Sequence, residues 1–327
     1  MTGRQENILV IKHGALGDIF MSIPAMAAIR EKHPDANIVL LTTAQYSQLL
    51  AHAPFFDEVW VDSKPKLWHF KETRALKKRL KSKSFSFIFD LQNSQRSSSY
   101  FWLMGKPKHW SGVAKGCSHN SDSEDRKTKH AVVRHVEQLK ICDITFDYKH
   151  DLSWLTSDLE DLPEIEQPYA LIIAGGAPHR PEKRWSKEKY AALCRRLIAE
   201  GINPVLIGTG AERQEIAYIS SNAEGCYNLC GKTGLFDLVE IARNARFAVG
   251  NDTGPMHMIA ATGCRSVVLF SDASDPRLCA PLGEHVSVLQ KDNFDALPLS
   301  DVEKVLGLTT TEALEKDEQI TEKKEAG

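Results

Sequence analysis

One pattern restricts the fold of this chain more than any other, and it occurs twice. A continuous apolar strand is followed by a glycine turn, a helix and a second apolar strand. The segments of the first copy are residues 8–11, 12–18, 19–32 and 38–41, and those of the second are residues 169–173, 174–178, 187–200 and 205–207. Strands that are apolar along their whole length are typical of parallel sheets covered on both faces. The repetition therefore predicts an α/β fold with two Rossmann-like domains in tandem.

The domain boundary is expected between residues 155 and 168, where Asp, Glu and Pro accumulate. We predict one domain over residues 1–160 and a second over residues 161–308. The polar, charged tail over residues 309–327 is expected to be disordered. Ligands of such sheets bind beyond the carboxyl ends of the strands, so we expect the two glycine turns to face each other across a cleft.

The composition excludes several classes of protein. With 42% hydrophobic and 26% charged residues and a net charge of -2, the chain is typical of globular domains and is not an obvious nucleic-acid binder. No apolar run approaches the roughly 18 residues of a membrane span, and the N-terminus has no signal-peptide pattern. The seven cysteines contain no C-x-x-C pair, which indicates reduced thiols in the cytoplasm.

Residues 64–83 depart from this balance, with nine Lys or Arg against a single carboxylate, Glu72. Trp68 and Phe70 lie near the start of the segment. A solvated helix face is the commonest explanation of such a run. Its one-sided charge nevertheless favours an anionic partner or a membrane surface.

A second informative segment is GNDTGPMHMIAATG, residues 250–263. An apolar strand over 246–250 leads into Asn251, and a short helix is predicted to begin at Pro255 and to stop at Gly263. The helix start offers backbone N–H groups that can hold a phosphate, while the Asp252 carboxylate can bind a sugar hydroxyl. An ordinary strand-to-helix turn, with no ligand, is the alternative.

Two further places carry candidate chemistry. Asp18 closes the first glycine turn at the start of a helix, where it is either a helix cap or a catalytic carboxylate. Lys183 and Arg184 follow the second glycine turn, and unpaired cations there match a diphosphate. The alternative for Lys183 and Arg184 is surface pairing with Glu182 or Glu188.

Three other motifs lack the spacing of the binding sites that they resemble. Five residues separate Gly225 from Gly231, where a Walker A loop has four. The Gly208-Thr-Gly210 turn lacks the third glycine of a dinucleotide loop, which disfavours a dehydrogenase. His119, His130 and His135 lack the spacing of metal ligands, and they predict no metal site.

Three segments, taken together, resemble glycosyltransferase family 9, the family of ADP-heptose:lipopolysaccharide heptosyltransferases. They are ILVIKHGALGD from Ile8, GGAPHRPEKRW from Gly175, and LCGKTGLFDLVEIARNARFAVGNDTGPMHMIAATG from Leu229. Their order and spacing match the family up to about Pro281. Residues 64–150, where the family would hold its acceptor, show no comparable match.

The resemblance implies a GT-B fold, with two facing Rossmann-like domains and a cleft between them. The N-terminal domain would bind the acceptor and the C-terminal domain the nucleotide sugar. The implied reaction is inverting transfer of heptose from ADP-heptose to the anionic inner core of lipopolysaccharide. The resemblance implies no cofactor and no obligatory metal. It further implies a cytoplasmic enzyme, with peripheral contact at the inner face of the inner membrane as an additional expectation.

The resemblance also assigns roles to residues of this chain. Asp18 matches the family's general base, and Lys183 matches the lysine that contacts the donor phosphate and sugar. The remaining donor-binding candidates are Gly175 and Gly176 in the middle loop, Glu212 at the ribose, Gly231, Lys232 and Thr233 along the adenine, Asp252 at a sugar hydroxyl, Thr253, Gly254 and Pro255 at the pyrophosphate, and His257 one helical turn on. The acceptor-binding candidates are Gly14, Gly17, Lys77, Lys78 and Arg79.

Two other functions stay open at this point. A relative that uses another nucleotide sugar or another acceptor would have a similar donor pocket. A non-catalytic module that binds a nucleotide sugar would share the fold, although the presence of Asp18, Lys183 and Asp252 argues against it.

Overall fold

The computed structural model describes residues 6–65, 69–176 and 180–308. Residue contacts divide the chain into two compact units, Met1–Leu155 and Thr156–Gly327. The division falls at the start of the stretch in which the sequence predicts a linker. The predicted tail over 309–327, together with Lys66, Trp68 and Pro178, lies outside the described residues.

The first unit is built on a six-stranded parallel sheet with strand order β3-β2-β1-β4-β5-β6. The strands are β1 (Asn7–Ile11), β2 (Asn37–Thr42), β3 (Glu58–Val61), β4 (Phe87–Asp90), β5 (Trp110–Gly112) and β6 (His119–Asn120). The helices are α1 (Leu16–Phe20), α2 (Ile23–Lys32), α3 (Ala44–Ala51), α4 (Phe70–Leu80), α5 (Gln95–Leu103) and α6 (Ala131–Lys140). Strand order reverses between β1 and β4, and in such sheets the crevice beyond the carboxyl ends at that point is where ligands bind.

The second unit repeats the architecture, with strand order β12-β11-β10-β7-β8-β9. Its strands are β7 (Tyr169–Ile173), β8 (Asn203–Leu206), β9 (Tyr227–Asn228), β10 (Phe247–Asn251), β11 (Ser266–Phe270) and β12 (Val286–Gln290). Its helices are α7 (Lys187–Ala199), α8 (Arg213–Ser221), α9 (Leu235–Asn244), α10 (Gly254–Ala261), α11 (Pro276–Cys279) and α12 (Leu299–Leu306). Here the order reverses between β7 and β10, the strands that precede the middle glycine loop and the Asp252 turn.

The central strands confirm the interpretation of the apolar runs. In β1, Ile8, Leu9, Val10 and Ile11 are all 0% exposed, because β2 and β4 flank the strand and helices cover the sheet. The second unit has its own core, in which the buried Trp185 packs edge-on against Tyr190 and donates from Nε1 to the carbonyl of Leu297 at 3.0 Å.

One local prediction was wrong. The single helix expected over residues 19–32 is two helices, α1 and α2, that are separated at Met21 and Ser22. Pro24 lacks an N–H group and disfavours the helical conformation of the preceding residue, so it lies in the first turn of a new helix. As a result, Asp18 lies inside α1 instead of at the end of a turn.

Among the described residues, every helix is too short or too polar to cross a lipid bilayer.

Gly250 in β10 is required by close packing. A Cβ atom there would lie 2.6 Å from Ile173 Cβ and 2.7 Å from Met256 Sδ, far inside normal contact distance. We therefore expect Gly250→Ala to lower the free energy of unfolding by about 1–3 kcal/mol, measured by urea denaturation. Gly210→Ala is the matched control, because its Cβ would meet no atom within 4 Å. Equal losses of stability in both variants would contradict the packing argument.

Candidate active site

The turn between β10 and α10 presents a helix N-terminus without a side-chain cap. Thr253 is the N-cap residue in extended conformation, and Pro255 lies in the first turn. The Thr253 Oγ1 atom is buried and has no hydrogen-bond partner among the residues that the structure describes. The Thr253 hydroxyl and the Gly254 N–H are therefore available at the positive end of the helix dipole, whereas Pro255 has no N–H and the N–H groups of Met256 and His257 donate to the Thr253 carbonyl.

Asn251 fixes this turn to its neighbours. The side chain is 0% exposed, and its Nδ2 donates to the carbonyls of Ala174 and Gly175, both at 2.9 Å. Its Oδ1 accepts from Trp185 N at 3.0 Å and from the Tyr190 hydroxyl at 2.9 Å. One buried amide thus joins the end of β10, the loop after β7 and the start of α7, with its hydrogen-bonding capacity filled.

Lys183 and Asp252 meet at the same turn. Lys183 Nζ lies 2.6 Å from Asp252 Oδ2, and the two side chains are 14% and 10% exposed. Ser274 Oγ donates to the same oxygen at 2.8 Å. Neither alternative pairing considered from the sequence is formed, since Glu182 pairs with Arg180, and Arg184 pairs with Glu215 instead of Glu188. An ammonium group and a carboxylate are therefore held together beside the N-terminus of α10.

A cavity of about 520 Å³ opens on this turn. Its walls combine the polar turn with apolar side chains from β7, the end of β8 and α9, including Ile173, Ile207, Leu235 and Leu238. The donor-site candidates that line the cavity are Gly175, Gly176, Lys183, Glu212, Thr233, Asp252, Thr253, Gly254 and Pro255. Segments far apart in the sequence thus converge on one cavity in the second unit.

Three donor-site candidates lie outside the cavity lining. Gly231 and Lys232 are exposed, and Gly231 N donates to the Gly208 carbonyl at 2.7 Å. His257 is buried within α10, with 7% of its surface exposed. Of the GKT segment, the structure brings only Thr233 to the cavity wall.

Glu212 packs closely against Gly175 of the middle loop. A Cβ atom on Gly175 would lie 2.7 Å from Glu212 Cγ, so a larger residue would displace the glutamate. The Glu212 carboxylate accepts from Thr209 N at 2.8 Å and from Thr209 Oγ1 at 2.6 Å, both through Oε2. These bonds hold the carboxylate at the edge of the cavity.

In the first unit, Asp18 does act as a local cap. Its Oδ2 atom accepts from Ala15 N at 3.1 Å, and the side chain is half-buried. The adjoining turn is pinned to the end of β4, because Gln92 Oε1 accepts from His13 N and Gly14 N. This bonding orients the carboxylate, and it is compatible with a second role for the Oδ1 atom.

The two glycines of this turn occupy crowded positions. Gly14 has a φ of +133°, and a Cβ atom there would lie 2.6 Å from the Tyr46 ring. Gly17 is buried within α1. Both glycines therefore shape the turn that presents Asp18.

A buried polar cluster beneath this turn was missed by the sequence reasoning. Lys12 follows β1 directly and donates from Nζ to the Leu91 carbonyl at 3.3 Å, while Asp90 ends β4. His135 and Gln138 of α6 are buried beside them, and Gln138 Nε2 donates to the Asp90 carbonyl at 3.0 Å. A charged residue immediately after a continuous apolar strand was the available signal at both Lys12 and Asp90.

Burial determines the ionisation of this cluster. It raises the pKa of Asp90 to about 6, against the opposing effect of the Asn93 and Gln92 N–H groups. It lowers the pKa of Lys12 to about 8, an effect that the Asp18 and Asp90 carboxylates partly offset. It also holds the pKa of His135 well below its ordinary value, so the imidazole is neutral at pH 7.

The raised pKa of Asp90 has a consequence for stability. Between about pH 4 and pH 6 the unfolded carboxyl ionises while the folded one stays protonated, so the folded state loses stability as the pH rises. Asp90→Asn keeps an oxygen for the N–H groups of Gln92 and Asn93 and removes the titration. We expect its stability relative to the parent to rise by up to about 3 kcal/mol across this window and to stay constant above it. Urea denaturation at several pH values measures the difference, and a difference independent of pH would contradict the assignment.

Comparison with known proteins places the chain in a family. The family described as Glycosyltransferase family 9 (heptosyltransferase) matches residues 73–308. The match includes most of the 64–150 stretch in which the sequence analysis found no resemblance. Lipooligosaccharide heptosyltransferase 2 of Haemophilus influenzae is 27% identical over 87% of this chain and 88% of its own length. Lipopolysaccharide heptosyltransferase 2 of Escherichia coli is 26% identical over 86% of this chain and 87% of its own length.

Solved structures agree in fold. The structure of E. coli ADP-heptose lps heptosyltransferase II has a TM-score of 0.74 at 23% identity, covering 92% of this chain and 97% of its own. The structure of E. coli heptosyltransferase WaaC with ADP has the same TM-score at 19% identity, covering 92% of this chain and 99% of its own. The two parallel six-stranded sheets with their helices are those of the GT-B fold. The chain is therefore a glycosyltransferase that belongs to glycosyltransferase family 9, the heptosyltransferase family.

Proposed function

We propose that this enzyme transfers heptose from ADP-heptose to the inner core of lipopolysaccharide with inversion at the anomeric carbon. The observation that carries the proposal is the Lys183–Asp252 pair at the uncapped N-terminus of α10, on the wall of a cavity of about 520 Å³. Relatives named as lipopolysaccharide or lipooligosaccharide heptosyltransferases support the choice of donor and acceptor.

The diphosphate of the donor binds, in this proposal, where positive charge is concentrated. The Gly254 N–H at the start of α10 and the Thr253 hydroxyl donate to phosphate oxygens, and Lys183 adds a full positive charge. An ammonium group has three donors, so Lys183 can keep its bond to Asp252 while it contacts the diphosphate. Ser274 and Lys183 both occupy Asp252 Oδ2, which leaves Oδ1 to accept a hydrogen bond from a sugar hydroxyl.

The nucleoside occupies the apolar part of the cavity. Ile207, Leu235 and Leu238 offer a surface for the adenine, with Thr233 at its edge. Glu212, which Thr209 orients, accepts hydrogen bonds from the ribose hydroxyls. The E. coli structures titled with ADP and with ADP-2-deoxy-2-fluoro heptose support this choice of nucleotide.

Asp18 serves as the general base. Its Oδ2 atom is held by Ala15 N, and Oδ1 takes the proton from the acceptor hydroxyl as that oxygen bonds to the anomeric carbon. The bond between the anomeric carbon and the diphosphate oxygen breaks on the opposite face, and its electron pair leaves with ADP. Lys183 and the Gly254 N–H stabilise the growing charge on ADP, and we propose no metal or other cofactor for this step.

The acceptor is assigned to the first unit, which carries Asp18. Gly14 and Gly17 are both buried in the turn that presents Asp18, and they are acceptor-site candidates through the position that this turn gives the carboxylate. Contact of Lys77 and Lys78 on α4 with core phosphates is a second assignment for these exposed side chains, in competition with their contact to a membrane surface. Arg79 is a weaker candidate, because its guanidinium lies over the Trp60 ring at 4.9 Å. A lipid-linked acceptor also requires peripheral contact between the enzyme and a membrane surface.

Asp18→Asn tests the base. We expect kcat for acceptor-dependent ADP release to fall by roughly 10²–10⁴-fold, because the amide cannot accept the proton, while the Kd for ADP stays unchanged. Asp35→Asn, at an exposed carboxylate of the same unit, is the control and should match the parent. An Asp18→Asn enzyme with normal kcat on a heptose-free lipopolysaccharide acceptor would contradict the assignment.

Lys183→Gln tests the leaving-group site. We expect the Kd for ADP, measured by calorimetry, to rise by roughly 10- to 100-fold, since a charge-assisted hydrogen bond of about 1.5–3 kcal/mol is lost. Lys187→Gln removes an equal charge from the exposed start of α7, away from the cavity lining, and should leave the Kd unchanged. Equal affinities in all three proteins would contradict the role of Lys183.

Asp252→Asn tests the contact with the sugar separately from the binding of the nucleotide. Loss of the carboxylate leaves Lys183 free for the diphosphate, so ADP should bind as well as before or more tightly. The affinity for ADP-heptose should improve less than the affinity for ADP, or fall, because the hydroxyl contact of its heptose is weakened. Calorimetry with both ligands measures the ratio of the two Kd values, and a ratio equal to that of the parent would contradict the sugar contact.

A further inference from the structure

One face of α4 is basic and lies open to solvent. Phe70, Thr73, Arg74, Lys77 and Lys81 recur at helical spacing, and together with Lys78 and Leu103 they line a shallow surface depression between α4 and the end of α5. The opposite side of α4 is anchored, because Leu76 and Leu80 are buried in the core of the first unit. The helix therefore presents this face from a fixed position.

The cations on this face are unpaired, unlike others nearby. Lys83 pairs with Glu58, and Arg79 lies over Trp60. In contrast, Arg74, Lys77, Lys78 and Lys81 have no carboxylate partner among the residues that the structure describes. No carboxylate lines the depression in that part of the chain either. A local excess of positive charge thus stands on a protein whose net charge is -2.

Large apolar side chains accompany the charge. Phe70 is 78% exposed and Trp102, the neighbour of Leu103 at the end of α5, is 53% exposed. Lys106 Nζ lies over the Trp102 ring at 4.6 Å, and Lys81 Nζ lies 3.7 Å from the position of a Cβ atom on Gly105. Phe70 lies at the start of α4 with Arg74 one turn further on, and Trp102 lies near the end of α5 beneath Lys106, so each exposed aromatic ring has a cation beside it.

We propose that this surface, formed by Phe70, Arg74, Lys77, Lys78, Lys81 and Trp102, docks onto a lipid bilayer with anionic headgroups. Basic side chains near such a bilayer are attracted by its negative surface potential. Aromatic rings are favoured at the boundary between headgroups and acyl chains. A merely solvated helix face explains the charge, but it does not explain two large exposed aromatic side chains beside that charge. Charge complementarity thus selects an anionic membrane as the partner.

Vesicle cosedimentation of the full chain tests the proposal. We expect binding to vesicles of phosphatidylglycerol and phosphatidylcholine in equal parts, weaker binding at high salt, and little binding to phosphatidylcholine alone. Lys77→Gln with Lys81→Gln should weaken binding roughly 20-fold, at about fivefold for each charge removed. Phe70→Ser with Trp102→Ser should also weaken binding, and the binding that remains should still depend on salt.

The control variant is Lys32→Gln with Lys149→Gln, which removes the same charge from exposed positions outside this surface. It should bind like the parent, and every variant should retain ADP affinity as a check on folding. Equal loss of vesicle binding in the control would overturn the proposal, as would parent-like binding in both surface variants. Displacement of the protein from vesicles by soluble phosphorylated core oligosaccharide would overturn it too, since the surface would then be an acceptor site. Vesicle binding requires neither donor nor turnover, so its failure and that of the transfer reaction are distinguishable.

Discussion

The hydrogen bonds of the buried Asn251 amide are the interaction on which the proposed donor site depends. The carboxyl ends of parallel strands lie at the same edge of a sheet. The loops that follow these strands have a fixed relative geometry only when hydrogen bonds or packing connect them. Asn251 makes that connection with four hydrogen bonds, two to the loop after β7 and two to the start of α7 and its Tyr190. Because the neighbouring residue is Asp252, the same bonds hold the carboxylate beside Lys183. Fold and site therefore share one set of contacts.

The two units use one architecture for different chemistry. Both place loops at the point where strand order reverses, between β1 and β4 in one unit and between β7 and β10 in the other. The second unit fills that point with glycines, a helix N-terminus and the Lys183–Asp252 ion pair, which suits an anionic ligand. The first unit fills it with buried ionisable groups, Lys12, Asp90 and His135, beneath a half-buried carboxylate. We infer that the second unit binds the anionic ligand and that the first unit carries out proton transfer.

The sequence predicted those features that depend on local pattern. Continuous apolar runs located β1, β2 and β7, and the Pro255 signal located α10 to within one residue of its start. The break between α1 and α2 was missed, since a proline near a helix start is equally compatible with one helix or two. The pairing of Lys183 with Asp252 was beyond reach, because 69 positions separate the two residues and only the sheet brings them together. The same holds for Lys12, Asp90 and His135, which lie on three different elements.

The central claim is that the chain transfers heptose with Asp18 as the base that enforces attack from the face opposite the diphosphate. The measurement that tests it most directly is the anomeric configuration of the product. It is read by NMR from the one-bond carbon–proton coupling at the transferred heptose, in comparison with that of ADP-heptose. The account predicts heptose attached to the core with the configuration inverted and one ADP released for each transfer. A product with retained configuration would contradict it, because a single displacement assisted by a general base cannot retain configuration.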